Sequence, residues 1–221
     1  MPWIGHVAAV LAAWYPGQEG GQAIADVLFG AVNPSGRLPI TFPEDDAHTV
    51  RPLLPNLGSA VNAEVSIDYS EGADVGYRWY HSHGVNPLFS FGHGLSYTSF
   101  EYTNLKTSGG QPLTVAFDVA NTGSRPGADV PQIYLTGRPG GNVLRLLAFQ
   151  RIELKAGERR SVILTVDPRL IASFDEAHKT WVAATGPYAL SIGKSASDFT
   201  GNVRIHIRGY SIPAGPIEMG R

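Results

Sequence analysis

Hydrophobic positions change their spacing twice along the chain, and each change predicts a different kind of structure. Residues 3–15, "WIGHVAAVLAAWY", are apolar on nearly every side, the pattern of a buried helix rather than a surface one. In "GGQAIADVLFG" the apolar residues Ile24, Val27 and Leu28 recur at helical spacing, and Gly30 closes the run as a helix C-cap. "GRLPITF" then predicts a short strand between Gly36 and Pro43. From Glu44 to about Phe100 no period holds, although the stretch is rich in aromatics as well as Pro, Gly and Asn. Disordered segments lack large apolar groups, so this reads as an ordered connector packed along its length.

Beyond Phe100 the texture is all-β. "LTVAFDV" alternates, with Leu113, Val115, Phe117 and Val119 on one face, and "SVILTV" does the same through Val162, Leu164 and Val166. "SFEYTNLKTS", "ADVPQIYLTG", "LLAFQRIELK", "GPYALSIGKS" and "VRIHIRG" are further short runs between turn residues. Roughly seven strands over about 110 residues is the profile of an immunoglobulin-like sandwich. One more strand is expected around residues 179–184, after the turn in "DPRLIASFDEAHK".

Composition narrows the function classes. The 221 residues, 43% hydrophobic and 16% charged, describe a globular protein with room for real cores. Net charge is -2 and the seventeen basic residues do not cluster, which argues against nucleic acid as a partner. There is no cysteine, so disulfides, thiolate catalysis and the antibody type of sandwich are excluded, while the fibronectin type III type stays open. The apolar run 7–15 is too short to span a membrane. Nor does it read as a secretory signal, because no Lys or Arg precedes it and bulky "WYPG" follows it. The compartment is left open.

Candidate chemistry begins with Glu19, in the glycine-rich loop "AWYPGQEGG". A carboxyl group acting as a general acid needs a raised pKa, and where two carboxyl groups share the chemistry they must lie close together, one of them protonated. The next carboxylate after Glu19 is Asp26, seven residues on and in the second predicted helix. Near a helix N-terminus Glu19 is expected to accept backbone N–H bonds, which favour its charged form, the reverse of what a general acid needs. "EDDAH", 44–48, matches no metal-ligand spacing. His81, His83 and His93 lack the thiolate partners of a structural zinc site, and His93 is expected within an aromatic cluster. Trp3, Trp14, Tyr15, Trp79 and Tyr80 could stack on sugar rings, but packing is the expected role of Trp14, and docking of the connector that of residues 77–80. "GRPGGN", 137–142, lacks the lysine and helix of a phosphate loop and is expected to join two sandwich strands.

Three blocks, in order, resemble the C-terminal part of glycoside hydrolase family 3, the β-glucosidases and β-xylosidases. "AWYPGQEGGQAIADVLFGAVNPSGRLPITFP" resembles the end of the family's α/β sandwich domain. "GYRWY" with "PLFSFGHGLSYTSFEY" resembles its connector, and "LTVAFDVANTGSRPGADVPQIYL" with "LLAFQRIELKAGE" its fibronectin type III-like domain. The resemblance implies a mainly β chain: an α/β sandwich remnant at 1–45, an ordered connector at 46–96, a fibronectin type III-like (immunoglobulin-like) β-sandwich at 97–212, and a tail at 213–221. It also implies that the family's nucleophilic aspartate, in a (β/α)8 barrel, and its acid/base glutamate have no matching position here. No catalytic, cofactor-binding or metal residue is therefore assigned. The expected partners are the missing barrel and α/β domain, in cis or in trans, and a β-linked oligosaccharide in the whole enzyme, with no cofactor, nucleic acid or membrane. The alternatives are a carbohydrate- or protein-binding module and one half of a split glycosidase.

Overall fold

The computed structural model describes residues 1–50 and 66–215. Part of the expected connector, 51–65, and most of the tail, 216–221, lie outside the described residues. Two helices precede the strands, α1 (Gly20–Leu28) and α2 (Tyr77–His83), and a short third, α3 (Pro168–Ile171), interrupts them. The strands are β1 (Phe100–Gly109), β2 (Leu113–Asn121), β3 (Gly127–Asp129), β4 (Gln132–Arg138), β5 (Gly141–Phe149), β6 (Ile152–Leu154), β7 (Arg159–Val166), β8 (Ser173–Asp175), β9 (Thr180–Ala183), β10 (Gly186–Ser195), β11 (Asp198–Ile207) and β12 (Tyr210–Pro213).

Two antiparallel sheets, β1-β2-β7 and β11-β10-β4-β5, make the sandwich. Their inner faces come from the alternating positions read in the sequence. Leu113, Val115, Phe117 and Val119 of β2 are all buried and meet Val162 and Val166 of β7, with Leu164 packed at the margin. Ile133 and Leu135 of β4 and Leu190 and Ile192 of β10 close the core from the other side. Every buried member of this core lies between Phe100 and Ile207.

Proline explains why some predicted strands divide. "ADVPQIYLTG" yields β3 and β4, because Pro131 has no N–H to give a ladder. "LLAFQRIELK" yields β5, which pairs with β4, and β6, which leaves that sheet to pair with β3. The strand expected around 179–184 is β9, held in a small sheet between β8 and β12.

The amino-terminal part departs further from its prediction. α1 forms as expected and Gly30 ends it at φ +76, but residues 3–15 are not a buried helix. They contain one 3-10 turn, Ile4–His6, after which Val7 is extended at φ -123, ψ 146. Val7, Val10, Leu11 and Trp14 each leave over two-fifths of their surface exposed. An unbroken apolar run reads alike for a buried helix and a buried strand, and period alone cannot choose. The strand expected at "GRLPITF" forms only a loose ladder with residues 88–93, through Gly92 N–H to Leu38 O (2.8 Å) and Phe42 N–H to Phe89 O (2.9 Å). Pro39 removes one donor from it.

Candidate functional site

Glu19 stands at the N-cap of α1, where the sequence places it, but its side chain caps nothing. Its backbone, at φ -88 and ψ 14, is not in the extended region from which a capping side chain reaches N2 and N3. Only its carbonyl takes part, accepting the Ala23 N–H at 3.0 Å. The carboxylate is exposed, without the apolar enclosure that a general acid requires. Asp26 accepts a 2.6 Å hydrogen bond from Gln22 one turn earlier.

The other candidates also resolve into local contacts. In "EDDAH" the Asp45 carboxylate caps the 3-10 turn Asp46–His48, accepting the His48 N–H at 3.1 Å and lying 2.8 Å from its ring. His83 stacks on Trp79, centroids 4.5 Å apart. His93 stacks on Phe89 at 5.6 Å, and burial, then the nearby Arg37 charge, holds its imidazole below the ordinary histidine value. Among the described residues no three His, Asp or Glu side chains gather as a metal site would need. "GRPGGN" is the turn of the β4–β5 hairpin, with Gly140 at φ +94.

What the fold does build is a seam between the amino-terminal segments and the sandwich. The Arg37 guanidinium donates to the Gly94 carbonyl and the Asp129 carboxylate, and Tyr102 donates to the other Asp129 oxygen. Asp129, on β3, is 1% exposed. Burial and the Asp129 charge push the Tyr102 hydroxyl above the ordinary tyrosine range. Asn33 spans the same seam: its Oδ1 accepts from Ser96 Oγ (3.0 Å) and the Tyr97 N–H (2.8 Å), and its Nδ2 donates to Pro126 O (3.1 Å). Gln132 donates to Gly92 O and Lys194 O while accepting from Tyr134. Gly92, at φ +79, leaves the room this requires, since a Cβ there would sit inside the Gln132 carboxamide.

Aromatic rings fasten the connector. Tyr77 of α2 stacks on Phe91 with centroids 4.7 Å apart, meets Tyr134 edge-on, and accepts the Leu146 N–H at 2.9 Å. Tyr80 is buried and donates to His48 O. Docking of residues 77–80 is thus seen within the chain, whereas Trp14 touches Phe42 at 6.4 Å and stays 55% exposed. Arg37, Asn33, Asp129 and Gln132 escape a reading of motifs. The one local sign is Asp129 itself, an acid placed among the apolar residues of "ADVPQIYL".

Across the seam from the sandwich, residues 1–43 expose large apolar groups instead of enclosing them. Tyr15 is fully exposed and Phe29 89% exposed, with Leu28, Val32 and Ile40 also open. Apolar exposure on this scale is uncommon on a closed domain surface.

Comparison with known proteins agrees. The glycosyl hydrolase family 3 C-terminal domain matches residues 1–97, and the fibronectin type III-like domain matches residues 129–196. β-Glucosidase B of Emericella nidulans is 44% identical over 93% of the chain, and a β-glucosidase of Rhizobium radiobacter 42% identical over 94%. The chain spans 26% of the length of each. Thermotoga neapolitana β-glucosidase 3B, solved with α-D-glucose, superposes with a TM-score of 0.87 at 34% identity, covering 96% of this chain and 30% of that one. The Bifidobacterium adolescentis family 3 β-glucosidase gives 0.84 at 30% identity, covering 100% and 33%. The chain belongs to glycoside hydrolase family 3, of which it carries the C-terminal portion.

Proposed function

We propose that these residues are the structural C-terminal part of a retaining β-glycosidase that removes terminal, non-reducing β-D-glucosyl or related residues. The barrel and the rest of the α/β sandwich would be supplied in cis or in trans, and with them the nucleophile and the acid/base. In this reading 1–45 is the α/β remnant, 46–96 the connector, 97–212 the sandwich and 213–221 the tail. The observation that carries it is the apolar surface over residues 7–40, Tyr15 and Phe29 above all, on a segment with no core of its own. Large apolar side chains left exposed in such number on one segment support an interface there.

The test is an assay of the 221-residue chain, alone and after co-expression with a family 3 barrel and the remaining α/β segment. The expected result is no cleavage of an aryl β-glucoside alone and turnover on co-expression. Turnover by the chain alone, abolished by Glu19→Gln, would overturn the reading. A monodisperse monomer that ignores hydrophobic dye would instead favour a self-sufficient binding module.

A further inference from the structure

Where α2 and the connector meet the outer side of the β4–β5 sheet, they leave a cleft of about 250 Å³. Its apolar wall is the Tyr77–Phe91 stack with buried Leu144 and Ala196, and Phe199 lines it with 39% of its surface still open. Polar groups without partners lie among these rings. The Thr41 hydroxyl oxygen is buried and hydrogen-bonds to nothing. Asn86 and His81 also line the cleft, and neither side chain takes part in a hydrogen bond or ion pair among the described residues. Ser90 and Ser197 bond to each other at 2.6 Å, and each hydroxyl keeps acceptor capacity to spare. Among the described residues no aspartate, glutamate, lysine or arginine lines it.

We propose that this cleft binds a single neutral pyranose unit. A charged ligand would leave water for a site with no aspartate, glutamate, lysine or arginine among its described lining residues, and desolvating a charge without a partner is strongly unfavourable. A wholly apolar ligand would leave the already buried Thr41 hydroxyl unsatisfied and cover the Asn86 side chain as well. A sugar ring answers both conditions: its C–H face lies on aromatic carbon, and its hydroxyls both donate and accept. The volume is below the roughly 300–1,000 Å³ of sites for drug-sized molecules, which suits one ring and not a chain of them. Aromatic wall, free amide and unpartnered hydroxyl converge here from three separate segments, residues 41, 77–91 and 196–199.

The inference does not depend on the proposed glycosidase role, and its test needs no turnover. The 221-residue chain is titrated with methyl β-D-glucopyranoside and its amide resonances are followed by NMR. Saturable shifts are expected at Tyr77, Asn86, Phe91 and Phe199, with half-saturation in the millimolar range. Asn86→Ala and Thr41→Val should each weaken binding by roughly 3- to 10-fold, the weight of one hydrogen bond. Both variants should fold, since the Asn86 side chain is exposed and bonds to nothing, and Thr41→Val removes a hydroxyl with no partner. A melting temperature equal to or above that of the parent chain confirms that they have done so. Absent or unsaturable shifts overturn the proposal, as do shifts scattered over the sandwich or unchanged in both variants.

Discussion

Arg37 and Asp129, ninety-two positions apart, form an ion pair whose side chains are 13% and 1% exposed. It joins the segment after α1 to β3 of the sandwich. Both charges have given up most of their water, and Tyr102 supplies the hydrogen bond that completes the carboxylate.

Removing one side of this pair strands the other. Arg37→Met should destabilise the chain by about 3–5 kcal/mol, because Asp129 is left buried and unpaired. The double substitution Arg37→Met, Asp129→Leu should recover part of that loss, the remainder reflecting the buried Tyr102 hydroxyl left without its acceptor. Urea unfolding of the four members of the cycle measures it, and equal stabilities of the single and double variants would contradict a desolvated pair.

The sandwich core should be sensitive at positions remote from the seam. Phe117 is 2% exposed between the two sheets, and Phe117→Ala should lower stability by about 3–5 kcal/mol through lost burial and the cavity left behind. Ile163, on the opposite face of β7 and 71% exposed, should tolerate alanine with a change of less than about 1 kcal/mol. Thermal melts of the two variants give the comparison.

His93 makes stability depend on pH. Burial and Arg37 lower its folded-state pKa below the ordinary 6.5, so the unfolded chain binds the proton more readily. Its contribution is therefore fully present above about pH 6.5 and is lost as pH falls from there through the folded value. His93→Phe, which keeps a ring against Phe89, should flatten the stability profile in that window. Parallel profiles for the two proteins would rule out this source.

The exposed apolar surface should be visible in solution. The chain is expected to bind a hydrophobic dye or self-associate, and Tyr15→Ser with Phe29→Ser should reduce both. Dye fluorescence and sedimentation report the change. The substituted side chains have little contact to lose, so folding should be unaffected.

Limited proteolysis should leave a resistant unit beginning near residue 97, because among the described residues the main core takes no side chain from before Phe100. Scattered cuts within β1–β11 would contradict a cooperative sandwich.

Legibility followed the range of the interactions involved. β2 and β7 were readable because a period of two places Val115, Phe117 and Val162 inward by local geometry alone. α1 was readable from three apolar positions and a closing glycine. Residues 7–15 were not, since an apolar run says that a segment wants burial and not which backbone satisfies it. The seam lay furthest from reach: nothing near Arg37 in sequence announces Asp129, nor anything near Asn33 its partners at Ser96 and Pro126. The cleft was equally hidden, because each of its walls reads alone as ordinary packing.

One consequence concerns the order of synthesis. Asn33, Arg37 and Gly92 leave the ribosome before their anchors at Pro126, Asp129 and Gln132, which belong to the sandwich, whose core closes only once Ile207 has been made. These seam residues must therefore wait for a fold that has not yet been translated. The sandwich is a late-arriving mould for residues that left the ribosome before it.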